Sequence, residues 1–442
     1  MNHRISRRTL LAGLAASTAT PLFGQSLPTN PDVVIVGAGS AGLSAGRVLR
    51  DAGISFVIVE AADRVGGRAY TESTSFGVPV DHGCSWIQGA PNNPYAQIGK
   101  IKKYTLVDHS NPGFHLYNLD GKPAGGTDWE EFGKAWSTAT EAISKAGRAN
   151  KDVSIASVIP DMPYAAMVKS DLALSYGMDT ENISTKEWWS GAEADPQYIV
   201  KEGLGSIVAL LAEGLPISLN TAVNHIDTSG AGVSVETING TIRAKACLLT
   251  VSTGVLNAGK IKFTPELPVW KQEAIANIPM GLLLKIPMMF DGAKLGLNDN
   301  HWVQYRMPED QPGEAVSFLA WPCGLDYLMG FAGGDFAWSL YGQGQRAVVD
   351  FALEELVRLV GSDARNHFKG GFASDWADNP HVLGAYGTVK PGAFQARREI
   401  GKPVDDKLFF GGEACAGALV QLVNGAYESG RANAQQIAAL LR

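Results

Sequence analysis

The apolar positions of this chain fall into short, dense runs punctuated by glycine. The first, Asp32-Val33-Val34-Ile35-Val36, is β-branched and reads as a buried strand. It runs directly into Gly37-Ala38-Gly39-Ser40-Ala41-Gly42, and the stretch Leu43 to Ala52 then has helical character. The pattern predicts strand, turn and helix. A second strand, Phe56-Val57-Ile58-Val59, ends at Glu60. Further on, a glycine-punctuated hairpin is expected over 230–240, a strand end at 249–256, and a strand at 408–412 followed by a helix opening near Asn424. One apolar run carries a single cation: Ile278-Pro279-Met280-Gly281-Leu282-Leu283-Leu284-Lys285-Ile286. A buried ammonium is costly without a partner or a use, so Lys285 is the leading catalytic candidate.

The glycine turn has a specific chemistry. Gly37 permits the tight turn, Gly39 lets a pyrophosphate approach the backbone, and Gly42 lets the helix pack on the sheet, whose N-terminus then faces the phosphates near Ser40 and Ala41. Glu60 lies 18 residues beyond Gly42, where an acid binds ribose hydroxyls. Arg64-Val65-Gly66-Gly67-Arg68 follows closely, a turn that offers backbone amides and guanidinium groups to a second stretch of pyrophosphate. Nicotinamide enzymes lack this second glycine pair. With Glu60-Ala61 before it, the segment resembles the signature of the flavin-dependent amine oxidase superfamily, which includes monoamine and polyamine oxidases, L-amino-acid oxidases and lysine-specific histone demethylases.

The resemblance recurs along the chain. Asp81-His82-Gly83-Cys84-Ser85-Trp86-Ile87-Gln88-Gly89, then Asn93-Pro94, looks like a polyamine oxidase stretch in which many relatives carry His or Glu at the place of Gln88. Leu219 to Val223 resembles the segment whose Val backbone faces the adenine, here Val223. Leu249 to Leu256 resembles a strand end with proline at the place of Ser252. Leu408-Phe409-Phe410-Gly411-Gly412-Glu413 and Asn424-Gly425-Ala426 resemble the C-terminal strand and helix that close over the flavin. The resemblance puts Gly412 and Glu413 by the ribityl and phosphate groups, Gly425 and Ala426 under the isoalloxazine, and Lys285 at a lysine that holds a water against the flavin. Trp376 and Tyr386 match a W…P…G-x-Y segment, with Tyr386 as one wall of an aromatic cage for the amine. Ala385 stands where monoamine oxidases of mammalian type carry the cysteine that anchors the flavin, so noncovalent FAD is expected. Between Glu413 and Gly425 no aromatic residue is present, which implies a half cage with Leu419 or Leu422 at the place of the second ring. Trp188 and Trp189 fit either the cavity mouth or the core.

These motifs imply an α/β fold: a discontinuous, Rossmann-like FAD-binding domain at 31–107, 201–265 and 372–442, and a mixed α+β substrate-binding domain at 108–200 and 266–371. Residues 1–30 read as a signal peptide and linker. Ser6-Arg7-Arg8-Thr9-Leu10-Leu11 resembles a twin-arginine signal, so the partners expected include the twin-arginine export machinery and the location expected is the periplasm. Within the 442 residues no later segment has ~18 uninterrupted apolar positions, so no stable membrane anchor is expected.

Composition narrows the picture further. Net charge is −7, and no basic stripe interleaves with aromatics, which argues against nucleic acid as a partner. The two inserted segments carry 15 basic and 27 acidic residues, an imbalance able to steer a cationic amine or a basic electron-accepting protein. Cys84, Cys247, Cys323 and Cys415 form no C-x-x-C, so no metal site is expected. The expected enzyme is an FAD-dependent amine oxidoreductase that takes a primary or secondary amine, of monoamine or polyamine type, to an imine and passes electrons to O2 or a redox carrier protein. Three alternatives stay open: an L-amino-acid oxidase, which needs an arginine such as Arg306, Arg346 or Arg358 facing a carboxylate; a desaturase or protoporphyrinogen-oxidase-like flavoenzyme; and a flavin redox carrier without turnover.

Overall fold

The computed structural model describes residues 30–442 apart from 91, 119, 193–194 and 308–313, so the expected export signal lies outside the described residues. Five short strands form one parallel sheet in the spatial order Leu408–Phe410, Ala246–Leu249, Val33–Val36, Phe56–Val59 and Ile217–Ser218. Strands covered on both faces need apolar residues at every position. Val33–Val36 and Phe56–Val59 are buried throughout. Val33, Ile35, Phe56 and Ile58 pack with Leu43, Leu49, Ala434 and Ile437 of the two flanking helices, Ser40–Asp51 and Val423–Leu440. Their alternates Val34, Val36, Val57 and Val59 pack on Ile226, Val233 and Val235 of a four-stranded sheet that contains the expected hairpin. The result is three layers.

A second core is built on a six-stranded sheet in the order Phe368–Gly371, Leu283–Phe290, Tyr327–Gly333, Ser317–Ala320, Trp302–Tyr305, Phe114–Tyr117, antiparallel except for the last pair. Period-two alternation divides the strand Leu283–Phe290. Leu284, Ile286, Met288 and Phe290 enter the core formed with helices Gly126–Arg148, Ala165–Tyr176 and Gln345–Val360. Leu283 and Met289 lie with Phe331 on the opposite face. The strand starts later than its apolar run, because Leu282 N–H donates to Gly177 O (2.7 Å) instead of to a sheet neighbour. At 249–256 the strand stops at Leu249, and Ser252 caps a short helix, Thr253–Asn257, by accepting from Val255 N–H at 3.2 Å.

Glu187 and Arg397 pin the two cores together. Both are buried and ion-paired, and Arg397 also donates to Gly387 O (2.6 Å) and Ala414 O (3.3 Å). Arg397→Met leaves a buried carboxylate unpaired and is expected to cost ~3–5 kcal/mol. Urea unfolding checks this, with the double variant Arg397→Met/Glu187→Met expected to lose less than Arg397→Met alone.

Candidate functional site

Between the two cores lies a cavity of about 830 Å³. Its walls include Gly37, Gly39, Ser40, Ala41, Glu60, Ala61, Arg64, Gly66, Gly67, Arg68, Val223, Gly412, Glu413 and Ala426 along one side, together with Lys285, Trp376 and Tyr386. Gly42 and Gly425, of the residues singled out in the sequence, do not reach it. Their role is packing. A Cβ on Gly42 would lie 1.9 Å from Gly37 O, and one on Gly425 would lie 1.9 Å from Leu419 O.

The cradle is shaped by backbone. Gly37, Gly66 and Gly67 have φ of 105°, 96° and 57°, a region that side chains disfavour. Apart from its chain neighbours, the nearest atoms to a Cβ on Gly39 would be Gly66 O and Gly67 Cα at 3.9 Å, so its absence leaves room in the cavity itself. Open backbone at a helix N-terminus fits a pyrophosphate. Glu60 accepts from Ala38 N–H (2.6 Å) and Ala62 N–H (2.9 Å), which orients its carboxylate on the wall. Arg64 donates to Gly67 O (2.8 Å) and lies 3.8 Å over the Tyr70 ring. Arg68, expected to bring a guanidinium near the pyrophosphate, lines the cavity and donates to Ala385 O (2.8 Å) and Glu413 Oε1 (3.0 Å). Ser40 Oγ donates to Val423 O (2.7 Å) and shares a hydrogen bond with Tyr95 Oη.

Lys285 extends from its strand into the opposite side of the cavity and is 3% exposed. Its Nζ donates to Ser85 Oγ (2.5 Å) and Asp81 O (3.2 Å) and lies 5.7 Å from the Trp86 ring and 5.8 Å from that of Phe331. Burial pushes its pKa down to about 8, opposed by the nearby Asp81 carboxylate. Asp81 is itself buried, which raises its pKa, and accepts from Thr71 Oγ1, Leu204 N–H and Gly205 N–H. Lys285 is thus able to hold or release a proton near neutral pH.

Tyr386 Oη donates to Leu174 O (2.9 Å), which holds the ring as a wall, and Trp376 Nε1 donates to His82 O (2.8 Å). Leu422, not Leu419, lines the cavity beside Gln421 at the place of the missing ring. Trp188 and Trp189 stay away from it: Trp188 donates to Ser144 Oγ, and Trp189 is largely exposed. Sequence reasoning passed over Trp302, Phe331 and His109, which all line the cavity. No local motif marks them; sheet pairing brings Phe331 opposite Lys285. Cys84 also lines the cavity, but burial raises its thiol pKa to about 12 and keeps it protonated.

Residues 40–191 and 183–438 match the family described as flavin containing amine oxidoreductase. Polyamine oxidase 4 of Oryza sativa subsp. japonica is 30% identical over 94% of this chain and 90% of its own. Polyamine oxidase 2 of Arabidopsis thaliana is 30% identical over 92% and 88%. Lysine-specific histone demethylase 1B of Mus musculus is 28% identical over 93% of this chain and 53% of its own. Among solved structures, wild-type putrescine oxidase bound to putrescine superposes with a TM-score of 0.76 at 21% identity, over 93% of this chain and 99% of that one.

The Lys285 environment has a measurable consequence. An unfolded lysine keeps its proton to about pH 10.4, whereas the buried one releases it near 8, so the unfolded state binds more protons across that interval and stability rises with pH there. Over pH 7 to 10.5, urea unfolding is expected to show a stability change about 3 kcal/mol more favourable in the unaltered protein than in Lys285→Met, the buried Lys271 contributing equally to both.

Proposed function

The chain belongs to the flavin containing amine oxidoreductase family, and from that premise we propose that it oxidises a primary or secondary amine, of monoamine or polyamine type, to an imine that hydrolyses to an aldehyde or ketone. It is an amine-acting oxidoreductase, and its cofactor is FAD, held without a covalent bond. The cavity fits that group: the open backbone at Gly39 and the Gly66-Gly67 turn would hold the pyrophosphate, Glu60 the ribose, and Gly412 with Ala426 the flavin end. When bound, the flavin supplies the two-electron acceptor for the C–H bond next to the amine nitrogen.

The chain's own residues would do the remaining work. Tyr386 and Trp376 would orient the amine, the apolar walls would keep free water from the reacting C–H bond, and Lys285 would hold or move a proton through Ser85. The observation that carries the reading is Lys285, buried and poised near neutrality, in the same cavity as the dinucleotide cradle. A carboxylate-bearing substrate is disfavoured. Arg306 pairs with Asp128, Arg358 with Glu355 and Arg346 with Asp350, and none of them lines the cavity.

We assign O2 or a redox carrier protein as the acceptor, and the acidic excess of the inserted segments favours a basic carrier. Export by the twin-arginine route to the periplasm is part of the same proposal, supported by Arg7-Arg8 within Ser6 to Leu11.

Anaerobic mixing of the holoprotein with mono-, di- and polyamines and L-amino acids tests the reaction. Bleaching of the flavin by an amine is expected, and fast recovery in air identifies an oxidase; bleaching by amino acids alone would overturn the proposal. Tyr386→Ala is expected to slow bleaching more than Tyr386→Phe, which keeps the ring. Fractionation of cells expressing the full chain is expected to find it in the periplasm, and Arg7→Lys/Arg8→Lys in the cytoplasm.

A further inference from the structure

The end of the cavity around Lys285 has an unusual lining. Trp86 and Trp302 stack with centroids 5.9 Å apart and planes 10° apart, and Phe331 closes the corner at 6.0 and 5.4 Å from them. The Trp86 ring is fixed by a hydrogen bond: its Nε1 donates to His109 Nδ1 (3.1 Å), while His109 Nε2 meets Asn300 O at 3.0 Å. A carbonyl only accepts, so Nε2 carries the hydrogen and the imidazole is neutral. His109 thereby ties Trp86 to the segment that carries Trp302.

Charge is missing from this wall. Among the described residues the carboxylates lining the cavity are Glu60 and Glu413. Glu60 is held by the amides of Ala38 and Ala62, and Glu413 by Arg68 and the amides of Gly387 and Gln421. Gln88, just past the end of the strand Trp86–Ile87, also lines the cavity and is neutral. The aromatic faces themselves already have a cation, since the Lys285 ammonium lies within 6 Å of two rings. A second ammonium there would find like charge, because the nearby Asp81 carboxylate is already taken up by Lys285, Thr71 and two backbone amides.

Resting on the amine-oxidation reading, we propose that the Trp86–Trp302–Phe331 wall is a subsite for a flat aromatic or heteroaromatic group, and that the substrate is an aryl-bearing monoamine, not a polyamine. Offset stacking of one ring on such a wall is worth about tenfold in affinity beyond area alone. A polyamine would have to strip water from a distal ammonium with nothing to replace it.

Calorimetric titration of the FAD holoprotein without oxygen, using 3-phenylpropylamine, hexylamine and spermidine, tests the subsite. The aryl amine is expected to bind about tenfold tighter than either of the others. Trp302→Leu should abolish the preference and Trp302→Phe should keep most of it. In a fold-independent arm, Gln88→Glu should raise spermidine affinity severalfold. Spermidine binding as tightly as the aryl amine to the unaltered protein, an aryl preference unchanged in Trp302→Leu, or no gain in Gln88→Glu would each overturn the subsite. Flavin bleaching in the same samples separates the two claims: an aryl preference with no bleaching by any amine leaves the subsite standing and sinks amine oxidation.

Discussion

Burial of the Lys285 ammonium is the constraint around which the cavity is arranged. Withdrawn from water, the group requires hydrogen-bond acceptors and a nearby negative charge. Ser85 Oγ and Asp81 O supply the acceptors, and the Asp81 carboxylate supplies the charge. Asp81 cannot move freely to do so, because Thr71 and the amides of Leu204 and Gly205 hold both of its oxygens. Ser374 brackets the lysine from the other side, donating N–H to Lys285 O and accepting from Lys285 N–H. Lysine and partners come from distant segments of the chain, so the packing of residues 80–87 against the strand Leu283–Phe290 and the protonation poise of the site share one set of contacts.

A second group of buried charges closes the same seam. Glu413 collects Arg68 and the amides of Gly387 and Gln421, and Arg397 collects Glu187 and Gly387 O. Tyr386 sits between these networks, next to Gly387 in the chain and tethered to Leu174 O. Its ring is therefore fixed by backbone on both sides, which keeps that wall of the cavity in place.

Much of this was legible in the residues, for definable reasons. Val33–Val36, the glycine turn and Glu60 announce themselves because a buried parallel strand and a phosphate cradle leave few choices of residue. Lys285 stood out because a lone cation in an apolar strand is costly. The aromatic wall was not legible. Trp302 and Phe331 come from segments with no motif, and they meet Trp86 only through the pairing order of the six-stranded sheet. The choice between Leu419 and Leu422 likewise depended on the turn at Gln421, whose φ of 66° sends one leucine to the cavity and leaves the other outside. Ser252 looked like a departure from a proline pattern, yet as a helix cap bonded to Val382 O it serves a local need of its own.

The central claim is that an amine loses hydrogen from the carbon beside its nitrogen in this cavity. Its most direct test is the rate of anaerobic flavin bleaching by an amine that bears deuterium on that carbon, set against the unlabelled amine. The account predicts severalfold slower bleaching by the labelled amine, because that C–H bond breaks in the step observed. Equal rates for the two would place the observed step elsewhere and contradict it.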